Sequence, residues 1–375
     1  MRAAGDRARR SEPVVHSADG TWDVLGHAEV VEAASDVDRF SSAVSAHLQV
    51  PNGLEGEHHT EFRALIDRYF TQERVAAAEP VIRGVARDLV AELIGRDATD
   101  SSSVRLDAVT DVGAVFAVRV QTRWLGWPES LEPELLCWMG ENHAASISGS
   151  RSEKTAVAEH FDEIIRSLLA PRRAASATTA LDLTAELIAD DSLGRPLTDE
   201  ELISILRNWT GGDLGSLALC AGVILQFLAA HQPVQTEIRG GVERGALAAM
   251  IDEMLRIDDP FVSSRRATTC PLEIGGVSVP AGGRLRLDWT SANRDASVFD
   301  DPDAFEPVAN AGHNLVYGTG AHVCPGRGLA TTELCILVQE LLSATARIEP
   351  DPDAGPVRST PPLGGYERVP LVLLR

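Results

Sequence analysis

Apolar residues recur at helical spacing through much of the first half of the chain. Side chains three or four residues apart lie on one face of an α-helix. Two such faces between Glu61 and Trp138 are formed by Phe62, Leu65, Ile66 and Tyr69 and by Val81, Val85, Leu89 and Leu93. The pattern predicts a further helix from Val157 to Leu168 that ends at Pro171, followed by a small-residue loop from Ala174 to Ala180. We expect that loop to be the most mobile segment.

A long helix is predicted to begin after Thr198. The Thr198 hydroxyl can accept a hydrogen bond from the Glu201 amide, and the Glu201 carboxylate can accept one from the Thr198 amide. This reciprocal arrangement is a capping box. The apolar pattern continues to Leu228, about 30 residues or roughly 45 Å if the helix is unbroken. A helix of that length must cross the whole molecule. Its uncharged stretch, Leu214–Ala230, is shorter than the roughly 20 residues that span a bilayer, which favours a buried central helix.

Strand spacing is confined to the C-terminal part. A short β-hairpin is predicted around Gly275-Gly276, whose flanking apolar positions are Leu272, Ile274, Val277 and Val279. Leu285 and Leu287 are expected to continue the same sheet. Because most of the helix lies N-terminal to most of the strand, the predicted fold class is α+β, mainly α-helical.

Composition narrows the classes of protein. The 375 residues are 44% hydrophobic, which excludes a largely disordered chain. With 34 Lys and Arg against 55 Asp and Glu, the net charge of −21 disfavours binding to nucleic acid or to a membrane surface by charge. The five cysteines form no CxxC pair, which argues against a disulfide framework or a zinc ribbon and favours the cytoplasm. Residues 1–20 are expected to form a flexible N-terminal tail, not a secretory signal.

One cysteine stands in a setting suited to chemistry. Cys324 lies in a glycine-rich segment that leads into a predicted helix, Tyr317-Gly318-Thr319-Gly320-Ala321-His322-Val323-Cys324-Pro325-Gly326-Arg327-Gly328-Leu329-Ala330. The N–H groups and the dipole at a helix N-terminus favour thiolate over thiol. Gly318 and Gly320 allow a tight turn, and Gly326 lets the backbone approach a planar group. A thiolate held in this way can ligate haem iron.

These residues resemble the haem-binding loop of the cytochrome P450 superfamily, in which an aromatic residue, two glycines, a histidine or arginine, the cysteine and a further glycine recur at fixed spacing. Every fixed position matches if Tyr317 takes the place of the usual phenylalanine. The resemblance implies haem b ligated through Cys324. It also implies one domain of the P450 fold from residue 21 to residue 375, with a long central helix and small β-sheets. A buried structural cysteine is the alternative, and it suits the other four cysteines better.

Other segments of the chain also resemble the family, and they follow one another in the same order as in its members. Glu253 and Arg256 match its Glu-x-x-Arg pair at the expected distance before the cysteine, although an isolated pair would be only a helix ion pair. By resemblance, the residues that contact the haem are His59, Arg63, Arg266, His322, Gly318 and Gly326. The charged members suit the carboxylates of the haem propionates. Arg265 competes with Arg266 for this role, and a surface pair is the alternative for His59 and Arg63.

The long helix departs from the family's pattern where protons are relayed. The family's acid and alcohol correspond here to Asp213 and Leu214, so the acid is retained and the alcohol is lost. Thr210 or Ser216 would replace the alcohol if the helix kinks suitably. Otherwise water or a substrate hydroxyl would carry the proton. Asp213 is therefore a candidate proton relay, and a solvated or helix-bonded carboxylate is the alternative.

Two further departures concern the substrate and the meander. The segment Ser41–His58 is short for the family, so we expect an open distal face and a bulky substrate. The segment Phe305-Glu306-Pro307-Val308-Ala309 lacks the arginine that completes a triad with Glu253 and Arg256. Asn310 or another arginine is predicted to take its place.

The combined prediction is a cytoplasmic haem-thiolate oxidase. It would act on a bulky small molecule or peptide in natural-product biosynthesis, using dioxygen and electrons from a ferredoxin-type donor. Hydroxylation and oxidative aromatic coupling stay open, and the loss of the alcohol favours coupling modestly. A haem-binding or recruitment module without turnover is the alternative function, whereas no Gly-x-Ser-x-Gly motif supports a hydrolase. Neither nucleic acid nor a membrane is an expected partner.

Overall fold

The computed structural model describes residues 2–45, 47–96, 102–174 and 182–375. Most of the loop predicted to be mobile, residues 175–180, lies outside them. The chain forms two compact units, unit 1 (Met1–Ala64 and Glu243–Arg327) and unit 2 (Leu65–Val242 and Gly328–Arg375). Each unit combines early and late parts of the sequence. The single domain expected over residues 21–375 stays a prediction.

Helices dominate the described residues. In chain order they are α1 (Arg2–Ser11), α2 (His27–Ser35), α3 (Gly56–Asp67), α4 (Gln72–Gly95), α5 (Val115–Leu125), α6 (Glu132–Ser148), α7 (Arg151–Ala174), α8 (Leu183–Ile188), α9 (Asp199–Ala230), α10 (Gln232–Arg239), α11 (Arg244–Ile257), α12 (Trp289–Ala292), α13 (Ala296–Phe299), α14 (Pro307–Asn310) and α15 (Arg327–Ala344). A π-helical segment, Ala108–Ala114, precedes α5, and 3-10 turns occur at Glu129–Leu131 and Gly320–His322. The mainly α-helical class with small sheets is confirmed.

The strands are short. They are β1 (Val14–His16), β2 (Trp22–Val24), β3 (Phe40–Ser41), β4 (Ser103–Asp107), β5 (Ser263–Thr268), β6 (Leu272–Ile274), β7 (Val277–Val279), β8 (Arg284–Asp288), β9 (Arg347–Pro350), β10 (Val357–Arg358), β11 (Tyr366–Arg368) and β12 (Pro370–Leu374). Unit 1 holds the sheet β1-β2-β8-β5-β3, in which only β2 and β8 pair in parallel, and the hairpin β6-β7. Unit 2 holds the antiparallel sheets β4-β12-β9 and β10-β11.

The predicted hairpin is confirmed, with Ile274 opposite Val277. The expectation that Leu285 and Leu287 continue its sheet is wrong, because both lie in β8 between β2 and β5. This position buries the two leucines, which are 1% and 0% exposed, in the core of unit 1 together with Val24. An outer strand beside the two-stranded hairpin would not cover them as completely.

The N-terminal residues form regular secondary structure, and the flexible tail expected over residues 1–20 stays a prediction. Residues Arg2–Ser11 form α1, and β1 pairs with β2 in the sheet of unit 1. The physical reason is Arg9, whose side chain is 8% exposed. Its guanidinium donates to the carbonyl oxygens of Ser291 and Arg294, each at 2.6 Å. These two hydrogen bonds replace the ones that Arg9 would form with water in a solvated tail.

Helix α9 is the long helix predicted from the sequence, and it spans 32 residues. Its capping box is formed by Thr198 and Glu201 as predicted. By length and composition alone α9 could cross a membrane, but 61% of its most apolar window is buried within the protein. That burial is typical of a core helix.

The end of α7 differs from the prediction. Pro171 was expected to stop this helix, yet α7 continues to Ala174. Proline removes one main-chain donor, a small loss in the last turn. Arg172 stabilises that turn, since its guanidinium donates to the carbonyl oxygen of Leu168 at 2.8 Å and forms an ion pair with Asp182 at 2.7 Å.

The π-helical segment lies unusually close to α9 within unit 2. A Cβ atom at Gly113 would stand 2.7 Å from the carbonyl oxygen of Ala218 and 2.8 Å from its Cα. Real Cβ atoms do not approach backbone so closely, so this contact requires glycine. The two backbones are therefore held at a fixed, short separation.

Candidate active site

The loop that holds Cys324 belongs to unit 1. The amide of Cys324 donates to the carbonyl oxygen of Tyr317 at 3.0 Å, which closes the loop, and the thiol is exposed. Gly318 and Gly320 both have positive φ, +72° and +73°, and a Cβ at Gly320 would lie 2.6 Å from the carbonyl oxygen of Ala34. The glycines are thus needed for the turn. Gly326 lies in the turn just before α15, whose first turn follows the cysteine as predicted.

The Arg63 side chain on α3 donates hydrogen bonds to backbone carbonyl groups of this loop. Its Nη1 donates to the carbonyl oxygen of Val323 at 2.6 Å and to that of Ala321 at 3.1 Å. Those two carbonyls belong to the residues on either side of His322, and Val323 immediately precedes the cysteine. Arg63 therefore fixes the path of the chain into Cys324, a contact that the resemblance did not suggest.

Two predicted histidines lie side by side in unit 1. The rings of His59 and His322 are 4.2 Å apart between centroids. The Nε2 of His322 is 3.1 Å from the Ser42 hydroxyl and 3.6 Å from the Glu55 carboxylate. Burial, with the neighbouring charges of His59 and Arg266, lowers the pKa of His322 to about 4. His322 is consequently neutral at neutral pH.

Arg266 is a buried cation. Its residue is only 7% exposed, whereas Arg265 on the other face of β5 is exposed, so the geometry selects Arg266 as the inward-facing residue of the two. Its only hydrogen bond to a described residue is donated to the carbonyl oxygen of Arg265 at 2.9 Å. Burial lowers the pKa of Arg266, which measures the cost of holding this charge away from water. An anionic ligand would compensate for that cost.

Glu55 joins this cluster and was missed by sequence reasoning. Its carboxylate accepts hydrogen bonds from the Ser42 amide, from the Ser42 hydroxyl at 2.8 Å and from the Ser41 hydroxyl at 3.2 Å. Burial raises its pKa, but the Ser42 bonds and His322 outweigh burial and hold the pKa below its ordinary value. The described residues between β3 and α3, 42–45 and 47–55, form turns and no helix. No periodic pattern could have located Glu55 in such a segment.

The Glu253 and Arg256 pair is buried as expected for the family. The guanidinium of Arg256 binds the Glu253 carboxylate through two hydrogen bonds of 2.7 and 2.8 Å. The Asn310 side-chain amide donates to Oε1 of Glu253 at 2.7 Å. The prediction that Asn310 takes the place of the missing meander arginine is thereby confirmed. An amide supplies the hydrogen bond without adding a second positive charge.

The middle of α9, in unit 2, holds the predicted proton relay. Asp213 is half-buried, and Oδ2 of its carboxylate accepts a hydrogen bond from Nε2 of Gln121 on α5. Burial raises the pKa of Asp213 to about 7. Glu333 on α15 is fully buried, and burial together with the Asp213 charge raises its pKa well above the ordinary value.

The two hydroxyl candidates on α9 differ. The Thr210 residue is fully buried, and its hydroxyl donates to the carbonyl oxygen of Leu206 at 2.6 Å, within its own helix. Ser216 is half-buried one turn beyond Asp213. Because the Thr210 hydroxyl is already hydrogen-bonded within its own helix, Ser216 is the better candidate to replace the lost alcohol.

Gln121 and Glu333 are the other functional candidates that sequence reasoning missed. Both sit at apolar-patterned positions of helices, and the distances in sequence to Asp213 are large. A polar residue on an otherwise buried helix face is the one signal that could have drawn attention to them.

The residues of unit 1 fit a haem. A thiol at a helix N-terminus supplies a soft ligand for iron. The buried Arg266 guanidinium would supply a donor for a propionate, and His59 and His322 lie with it in one cluster.

Comparison with known proteins agrees with this fit. A family model described as Cytochrome P450 matches residues 133–363. The chain is 28% identical to the erythromycin C-12 hydroxylase of Saccharopolyspora erythraea over 92% of this chain and 87% of that protein. It is also 28% identical to the cyclomarin C epoxidase CymV of Salinispora arenicola, over 88% and 84%. A mutant of P450 EryK in complex with erythromycin B matches with a TM-score of 0.88 at 25% identity, over 100% of this chain and 96% of that one.

Proposed function

The chain belongs to the cytochrome P450 family and is a haem-thiolate monooxygenase, and on that basis we propose that it tailors a bulky natural product in the cytoplasm. The observation that carries the proposal is the complete loop around Cys324 beside the buried cation Arg266. The electrons would come from a ferredoxin-type protein. The five cysteines all lie in the described part of the chain and form no disulfide there, which supports a reducing compartment.

Within this proposal, Cys324 is the iron ligand and the cluster of Arg266, His59 and His322 holds the propionates. Haem bound through a thiolate supplies dioxygen activation and O–O cleavage. Arg63 fixes the loop through the carbonyl oxygens on either side of His322. The protein thereby holds its soft ligand in a set position before any substrate binds.

Asp213 is the proposed proton donor. A carboxyl whose pKa is about 7 can both hold and release a proton near neutral pH, which is what general acid catalysis requires. The adjacent alcohol of the family is Leu214 here, and the Thr210 hydroxyl is committed to Leu206. Ser216, three positions after Asp213 and on the same helix face, is the proposed hydroxyl partner.

The substrate is proposed to be a bulky small molecule or a peptide. Two relatives carry names that specify large natural products, erythromycin and cyclomarin, and both of their named reactions insert oxygen. The turns between β3 and α3, without a helix in the described residues, support an accessible pocket. Oxygen insertion is therefore the first proposal. Oxidative aromatic coupling is the second, because Leu214 removes the alcohol of the relay.

The mass of the product separates these reactions. The holoenzyme, a ferredoxin and its reductase are incubated with precursors of erythromycin and of cyclomarin. Insertion adds one oxygen atom to the substrate, whereas coupling removes two hydrogen atoms. Absence of either product and of a haem spin-state shift with every substrate class and donor would favour the alternative, a non-turnover haem-binding module.

A second experiment tests the ligand. The reduced protein under carbon monoxide is expected to give the spectrum of thiolate-ligated haem, and C324S is expected to lose it. C270S is the matched control, since Cys270 is also exposed and belongs to unit 1. An unchanged spectrum in C324S would refute the assignment.

A further inference from the structure

A buried carboxyl group of unit 1, that of Asp259, has no part in the site described above. Asp259 lies two residues after the end of α11 and is 2% exposed. Its Oδ1 accepts a hydrogen bond from the Phe261 amide at 2.7 Å, and its Oδ2 accepts one from the side-chain amide of Asn293 at 2.8 Å. Burial, together with the charges of Asp288 and Asp258, raises the pKa of Asp259 well above its ordinary value. Because a carboxyl group is costly to bury, its two hydrogen bonds point to a specific role.

Asn293 connects Asp259 to the segment that leads into the loop of the cysteine. Asn293 is 0% exposed, and the oxygen of its side chain accepts a hydrogen bond from the amide of Leu315 at 2.8 Å. The Gly318 amide in turn donates to the carbonyl oxygen of Leu315 at 2.8 Å. Leu315 therefore lies where the chain enters the glycine-rich turn, and Asn293 holds it there.

The orientation of the Asn293 side chain decides which of its atoms faces Leu315. A side-chain amide has a donor end and an acceptor end. The Leu315 amide needs the acceptor end, so the donor end points the other way, where Asp259 accepts from it. If the side chain turned over, its NH2 group would face the N–H of Leu315, and a buried donor would lose its acceptor. The carboxyl group of Asp259 disfavours that orientation.

This contact is distinct from the ion pair of Glu253 and Arg256. The guanidinium of Arg256 donates to the main-chain carbonyl oxygen of Asn293 at 2.8 Å, which fixes the backbone of that residue. The rotation of the side-chain amide is fixed by its hydrogen bonds to Asp259 and Leu315. The backbone and the side chain of Asn293 thus have separate supports, which can be changed separately.

We propose that Asp259 and Asn293 are positioning residues for the iron ligand. Asp259 orients the Asn293 amide, and the oxygen of that amide holds the entry of the loop at Leu315. Fixing the loop before the ligand binds lowers the entropy that ligation costs. The assignment of Cys324 as the ligand rests on the proposed function, whereas the hydrogen bonds between Asp259 and Leu315 do not.

An exchange of the two side chains tests their pairing. In D259N an NH2 group replaces one acceptor oxygen, so either the Phe261 amide or the Asn293 amide loses its acceptor. In N293D a second carboxyl group faces the first. The double variant D259N/N293D places a donor at position 259 opposite an acceptor at position 293 and keeps the acceptor for Leu315. Its net charge equals that of the natural protein.

Two measurements follow the loop in the holoenzyme. Hydrogen exchange of peptides that contain Leu315 is measured by mass spectrometry, and the carbon monoxide spectrum of the reduced protein reports thiolate ligation. In each single variant we expect exchange about tenfold faster and about a tenfold shift of the ligation equilibrium away from the thiolate form, the usual effect of a buried donor without its acceptor. The double variant is expected to return both measurements to within about threefold of the natural protein.

T268V is the matched control. Thr268 is also buried in unit 1, at 3% exposed, and its hydroxyl donates to the carbonyl oxygen of Pro280 at 2.6 Å and accepts from the Gly283 amide at 2.9 Å. We expect T268V to lower the unfolding free energy while exchange at Leu315 and the carbon monoxide spectrum stay unchanged. If D259N and N293D behave in the same way as T268V, Asp259 stabilises the fold only and the proposal is wrong.

The double variant decides the remaining cases. If its effects are the sum of those of the single variants, or if it does not fold, the two side chains are not paired and the proposal is wrong. If the single variants do not fold, a folded and thiolate-ligated double variant supports the pairing. If the natural protein itself lacks the thiolate spectrum, the proposed function fails, and exchange at Leu315 alone then decides whether Asp259 and Asn293 hold the loop.

Discussion

The loop around Cys324 and the middle of α9 present opposite electrostatic surroundings. In unit 1 the buried guanidinium of Arg266 lies beside two histidines, and the acid of that cluster, Glu55, accepts hydrogen bonds on Oε1 from hydroxyl and amide donors. Unit 2 gathers two acids, Asp213 and Glu333, and the one donor to Asp213 comes from a neutral amide. The first arrangement suits an anionic ligand, whereas burial in the second raises the pKa of both acids.

The largest effect expected from this contrast is on stability. Burial on folding raises the pKa of Asp213 from its ordinary value of 3.8 to about 7. A raised pKa means that the natural protein loses stability as pH rises from about 4 to about 7, by up to about 4 kcal/mol. D213N is expected to lose this dependence, and D191N, at an exposed site, to keep it. Denaturant unfolding of the holoenzyme at pH 5 and pH 8 measures the unfolding free energy of both variants. If this free energy changes equally with pH in D213N and in the natural protein, the contrast between the two regions is wrong.

Turnover should show the next largest effect. If Asp213 supplies the proton, D213N is expected to form product about 100-fold more slowly, the order of effect of a general acid. T210V removes a hydroxyl that bonds its own helix and is expected to change the rate by less than about threefold, because that bond adds little to proton transfer. Product formation under saturating electron donor measures both. A larger loss in T210V than in D213N would move the relay to Thr210.

A smaller effect is expected in unit 1. R266Q removes the buried positive charge, and haem is expected to dissociate about 10- to 100-fold faster, the equivalent of one hydrogen bond to a charged group. R265Q changes the neighbouring exposed arginine and is expected to retain haem normally. Transfer of haem to an excess of apomyoglobin gives the dissociation rate. Equal rates for the two variants would remove Arg266 from the propionate site.

The smallest effect belongs to Ser42. S42A removes the hydroxyl that lies 3.1 Å from His322 and donates to Glu55 at 2.8 Å, while the Ser42 amide still donates to Glu55. The loss is expected to be about 1 kcal/mol of unfolding free energy. S45A, in the same segment but exposed, is the control. Thermal unfolding compares them, and no difference would mean that the Ser42 hydroxyl contributes nothing to the cluster.

Features dictated by neighbouring residues were predictable from the sequence. The capping box at Thr198, the hairpin at Gly275-Gly276 and the glycine-rich turn before Cys324 each depend on local backbone conformation. Asn310 was predictable because the burial of Glu253 demands a donor once the arginine is absent.

Features that depend on distant partners were not predictable. The order of α1 depends on Arg9 meeting the carbonyl oxygens of Ser291 and Arg294, far along the chain. The hydrogen-bond partner of Asp213 comes from α5, and no local pattern links that helix to α9. Local propensity has no information about such encounters, since the tertiary fold decides which side chains meet.

Because the backbone at Gly113 lies so close to α9, a larger residue at position 113 could not be accommodated without moving that helix. Ala218, which Gly113 touches, lies about 7.5 Å along the helix axis from Asp213. An added methyl group at position 113 would have to push α9 aside or rotate it. Such a rotation would turn the carboxyl of Asp213 away from Gln121, although neither polar residue had changed. Gly113 takes no part in the chemistry, yet its lack of a side chain can therefore determine the orientation of the Asp213 carboxyl.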